Sequence, residues 1–114
     1  MGANTTEIEQ KLTPLEVRVV REFLSFVTVL FGIDKIFLYG ARSEMESTEW
    51  SDIDIAIVVE DKEHIREVEK KVESWIINSS PELLIHPTVI DKEALKNRGI
   101  GERIKQGILL WQKE

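Results

Sequence analysis

Apolar residues recur at Leu15, Val19, Val20, Phe23, Phe26, Val27 and Leu30, the three-and-four spacing of an amphipathic helix. Its start is marked by Thr13-Pro14-Leu15-Glu16: Thr13 can cap free N–H groups, Pro14 suits the first helical position and Glu16 completes a capping box. Gly32 is the expected stop. The period then changes. Lys35 to Tyr39 is a short β-rich run ending at Gly40, Ala41 to Trp50 is polar and irregular, and Asp52 to Val59 alternates before turning continuously apolar, as a buried strand does. Helical spacing returns from Asp61 to Asn78, with Ile65, Val68, Val72, Trp75 and Ile76 on one side and Glu63, Arg66, Glu67, Lys70 and Lys71 largely on the other. Leu83 to Ile90 predicts a third strand, and Pro87, which cannot donate to a ladder, favours the sheet edge. Asp91 to Leu95 and Gly101 to Gln106 predict short helical turns, before Ile108-Leu109-Leu110-Trp111 packs back on the core. The order α-β-loop-β-α-β-α with a short end segment predicts an α/β (α+β) domain: a small mixed sheet with helices packed on one face.

Length and charge narrow this picture. At 114 residues the chain fits one domain, expected over residues 13–114, preceded by a flexible polar segment over 1–12. Apolar residues at 42% suffice for a core, and a homodimer would bury further surface that so short a chain leaves exposed. A net charge of −6 opposes broad attraction to nucleic acid, which needs clustered Lys and Arg. The chain has no cysteine, which removes disulfides and thiolate metal sites. With no apolar leader and no run of membrane-spanning length, the expected location is the cytoplasm, away from the membrane.

The chemistry concentrates between Tyr39 and Ile55. Residues two apart in a strand share a face, so Asp52 and Asp54 are expected to project together about 7 Å apart. Two carboxylates on one face repel, and aspartate suits strands poorly. A divalent cation resolves both problems, and hard oxygen ligands suit Mg²⁺ (or Mn²⁺), which completes its shell with water and substrate phosphates. The glycine turn at Gly40 lets backbone N–H groups approach phosphate oxygens, and Arg42 offers a bidentate charged contact.

With these residues the chain resembles the minimal nucleotidyltransferase family, within the DNA polymerase beta-like nucleotidyltransferase superfamily. The family's hallmark is a glycine-serine step after the first strand, often continued by arginine, and an Asp-x-Asp strand about ten residues later. Gly40, Arg42 and Ser51-Asp52-Ile53-Asp54 match it, with eleven positions from Gly40 to Ser51. The resemblance implies the nucleotidyltransferase fold and transfer of a nucleoside monophosphate, most simply AMP from ATP or another nucleoside triphosphate, to a hydroxyl acceptor. Asp52 and Asp54 would hold the metal and be catalytic, and Gly40, Ala41, Arg42 and Ser51 would bind the nucleotide. It further implies an antitoxin-like role in a toxin-antitoxin pair, modifying a helical HEPN partner.

Three positions depart from the pattern. Ala41 replaces the family serine, Met45 stands where a second glycine is usual, and Thr88 occupies the slot of a third carboxylate on the next strand. His86 and Thr88 share a face with Leu84 and Ile90, and a neutral His86 is the candidate catalytic base there. Set against transfer is a catalytically weakened nucleotide-binding or partner-binding module. The plainer roles are a surface position for His64, packing for Trp50, Trp75 and Trp111, a filled sheet face for His86 and a surface ion pair for Arg42.

Overall fold

A computed structural model describes residues 12–40, 53–79 and 85–114. The capping box forms as its residues require: the Thr13 backbone N–H donates to Glu16 Oε1 at 2.9 Å, and the Glu16 N–H donates to Thr13 Oγ1 at 3.2 Å. Helix α1 runs over Pro14–Val27. It ends before the expected stop: the Thr28 N–H caps Leu24 O, and Gly32, in the left-handed region at φ 85°, instead turns the chain into strand β1, Ile33–Tyr39. Leu15, read from its spacing as part of the apolar face, is exposed. It lies in the first turn.

Strand β2, Ile53–Val59, pairs antiparallel with β1, opposing Tyr39 to Asp54 and Leu38 to Ile55. A 3₁₀ turn at Lys62–His64 leads into α2, Ile65–Ser79, which carries the chain to β3, Ile85–Asp91. Such a crossover is what a parallel pair needs, and β2 and β3 are parallel, with Asp54 beside His86 and Ala56 beside Thr88. Two short helices, α3 (Lys92–Leu95) and α4 (Ile100–Lys105), precede β4, Ile108–Gln112. The end segment is thus a fourth strand, antiparallel to β1. Strand order is β3-β2-β1-β4, which puts Pro87 on an edge strand, as its missing N–H requires.

The sheet has two unlike faces. On one, α1 and α2 pack Val20, Phe23, Val27, Val68 and Val72 against Ile36, Leu38, Ile55 and Ile57. Trp75 seals this layer, edge-on to Phe23 and stacked on Phe26 at centroid distances of 5.3 and 5.8 Å. Leu12, at the end of the expected flexible segment, belongs to this core. The long helices therefore occupy one face, as the pattern predicts. The other face is also partly covered, because Phe37, Tyr39, Ala56, Val58 and Ile90 make an apolar strip that Ala94 and Leu95 of α3 and Ile104 of α4 close.

Candidate active site

The polar site lies on the face that the short helices cover only in part. Three adjacent strands present Tyr39, Asp54 and His86 in one transverse row, set by the register of β1, β2 and β3. Alternation puts Asp54 on the side of Ala56 and Val58, opposite Ile53, Ile55 and Ile57, so the carboxylate interrupts an apolar strip at the strand's start. Its side chain keeps 24% exposure, against 64% for His86. The two meet directly, His86 Nδ1 standing 3.2 Å from Asp54 Oδ1.

Gly40 follows β1 at φ 79°, a conformation glycine adopts without steric cost. A second constraint acts on the same residue: a Cβ built there would stand 2.5 Å from Asp54 Oδ2. The turn can pass over the carboxylate only because it lacks a side chain. Asp54 thus has one oxygen against His86 and the other beneath the glycine turn, a small cradle that any other residue at position 40 would fill.

Thr88, expected in the slot of a third acid, is one row deeper than His86 and opposite Ala56. Its Oγ1 is 3.0 Å from Tyr39 Oη. The line between them crosses β2 where Ala56 offers only a methyl group, so the buried phenol ring can reach across. The Arg103 guanidinium of α4 lies 5.8 Å from the centre of the Tyr39 ring, a cation–π distance. The strand sequence alone does not single out Tyr39, Thr88 and Arg103 as a group; the signal was the shared parity of Tyr39 and Asp54 once their strands are paired in this register.

Of the residues predicted for the site, Gly40, Asp54 and His86 come together. Ala41, Arg42, Ser51 and Asp52, with Met45 and Trp50, lie outside the described residues. His64 is at the far end of the sheet, half-buried beneath Gly32 and edge-on to Phe31 at 5.1 Å. The surface position expected for it is therefore a packing position. Trp75 and Trp111 pack against the core, as expected. A depression of about 610 Å³ at the end of β2 and β3 away from Asp54 is lined by Glu60, Asp61, Glu63 and Asp91 among others; there Asp91 Oδ1 accepts the Ala94 N–H as the cap of α3.

Among the described residues no three His, Asp or Glu side chains form a metal-binding group. The donors present are the Asp54 carboxylate and the His86 imidazole. A carboxylate fits a hard divalent cation, and the Asp54 side chain keeps 24% exposure. Among the described residues no helix is long and apolar enough to cross a membrane.

Comparison with curated proteins gives no match. Among solved structures, the chain is similar to a protein of Sulfolobus solfataricus described as a candidate nucleotidyltransferase, at 22% identity and a TM-score of 0.64, covering 99% of this chain and 93% of that one. It is also similar, at TM-score 0.49 and 21% identity, to a mutant MntA–HpeT toxin-antitoxin structure, over 85% of this chain and 72% of that one. A toxin-antitoxin structure with AMP-PNP matches at TM-score 0.48 and 18% identity, over 85% and 73%. The first likeness bears on the fold: a mixed sheet with helices of this kind is shared along nearly the whole of both chains. The model of the family described as "Polymerase beta, Nucleotidyltransferase" matches residues 25–114. That stretch runs from the last turn of α1 through β4 and includes Gly40, Asp54 and His86, and by this match the chain belongs to the polymerase beta nucleotidyltransferase family.

Proposed function

We propose that the chain transfers a nucleoside monophosphate, AMP from ATP in the simplest case, to a hydroxyl acceptor. The observation that carries this reading is the seating of Gly40 over Asp54, where a glycine turn and a carboxylate share a space too small for a Cβ. Backbone N–H groups of the turn would hold phosphate oxygens beside the metal ligand Asp54, with Asp52 as the second carboxylate and Ala41, Arg42 and Ser51 completing the nucleotide contacts. Bound Mg²⁺ would neutralise charge building on the triphosphate. In the transfer, the acceptor oxygen bonds to the α-phosphorus, the bond from that phosphorus to the bridging oxygen breaks and pyrophosphate leaves. The acceptor proton passes to solvent or a nearby base.

The resemblance to minimal nucleotidyltransferases supports a protein acceptor, a hydroxyl side chain on a helical HEPN partner in a toxin-antitoxin pair. One observation favours the second reading, a weakened nucleotide-binding module. The hydroxyl expected in the third-acid slot, that of Thr88, is bound to Tyr39 one row away from Asp54, and the β3 residue beside Asp54 is an imidazole rather than a third carboxylate.

Calorimetric titration of Mg·ATP into the wild type and Asp54→Asn tests both readings. Metal-dependent binding is expected in the wild type, with a loss of tenfold or more, roughly, in the variant. Transfer of label from α-labelled ATP to the protein encoded beside this one would support the transferase. Binding without transfer to that protein or to other hydroxyl acceptors would select the module, and absence of metal-dependent binding would overturn both.

A further inference from the structure

We infer that His86 is itself a metal ligand, and that it shifts the site's preference from Mg²⁺ toward divalent transition ions such as Mn²⁺ and Co²⁺. This rests on the reading of Asp54 as a metal ligand. The expected role for His86 is a proton acceptor, and the same placement brings a ring nitrogen within reach of an ion at Asp54. Nδ1 is turned inward to Asp54 Oδ1 at 3.2 Å, although 64% of the side chain is exposed and outward rotamers would give the imidazole freely to water. Without an ion that separation is a hydrogen bond, and it holds the two donor atoms close enough together for both to ligate one ion.

The placement is fixed by backbone. His86 and Asp54 are in-register neighbours on parallel strands, so the imidazole stands in the first row of β3, beside the carboxylate. Thr88 in the next row is engaged with Tyr39. The only side chain that β3 offers to an ion at Asp54 is thus an imidazole. Mg²⁺ prefers oxygen and gives up its water reluctantly, whereas imidazole suits later first-row ions. One nitrogen in place of an oxygen is therefore a selectivity element.

The test uses Mn²⁺ as its probe, on the full chain without nucleotide. Mn²⁺ binding is followed by electron paramagnetic resonance, with pulsed detection of ¹⁴N coupling from a ligating imidazole, and Mg²⁺ affinity by competition. The wild type should bind Mn²⁺ with clear ¹⁴N coupling. His86→Gln should abolish the coupling and weaken Mn²⁺ by roughly tenfold or more, while Mg²⁺ affinity changes by less than about twofold. His86→Asp should move the preference toward Mg²⁺. His64→Gln, the change at the other histidine, should leave the coupling intact. Mn²⁺ binding in the wild type without ¹⁴N coupling, or equal losses for both ions in His86→Gln, would overturn the inference while leaving Asp54 as a ligand. Failure of the wild type to bind either ion would overturn it, while metal-dependent ATP binding remains the separate test of the proposed function.

Discussion

A single methyl group placed on Gly40 would meet two obstacles at once, the positive φ of the backbone and Asp54 Oδ2 at 2.5 Å. Gly40→Ala should therefore lower stability by about 1–3 kcal/mol, read from denaturant midpoints, and should weaken metal-dependent ATP binding further than stability alone explains. Tyr39→Phe removes one part-buried hydrogen bond and should cost about 1 kcal/mol, measured by thermal unfolding. The two residues also differ in how far the sequence reveals them. Gly40 and Asp54 were legible because a turn residue after a strand and a carboxylate in an apolar run contradict their surroundings. The Tyr39–Thr88 pair was not, since it joins residues 49 positions apart and exists only in one strand register. His86 could be placed on the correct face by alternation, but its contact with Asp54 depends on which strand neighbours β3.

Among the elements, α1 shows where local signals suffice. The reciprocal bonds of Thr13 and Glu16 follow from four consecutive residues, and Thr13→Ala should cost about 1 kcal/mol, with helix content by circular dichroism nearly unchanged in the folded state. The expected end of the same helix lies too late because Leu30 keeps the helical spacing after Val27, where the backbone leaves the helix. The strand character of Ile108–Gln112 was hidden for a related reason. A five-residue strand carries too short a pattern to separate from a packed coil, and its identity comes from pairing with β1. Trp75 is the element-scale anchor, holding α2 to α1 through Phe23 and Phe26. Trp75→Ala should cost roughly 2–4 kcal/mol, since the ring is partly rather than fully buried, and would appear as a lower unfolding midpoint.

For the molecule as a whole, the acidic balance sets which partners it meets by charge alone. With a net charge of −6, fluorescence anisotropy at physiological salt should show no binding of labelled duplex DNA tighter than about 100 μM. The sheet order has a different reach. Asp54 and His86 are 32 residues apart, and the intervening chain must complete α2 and dock β3 before they meet. As an edge strand, β3 is secured along one side only, and such a strand is among the first parts of a sheet to open. An ion bridging the two side chains would act as a clasp across that seam. Hydrogen–deuterium exchange of the β3 amides should then slow when Mn²⁺ is added, far more than in the α1–α2 layer, making this edge strand a reporter of site assembly.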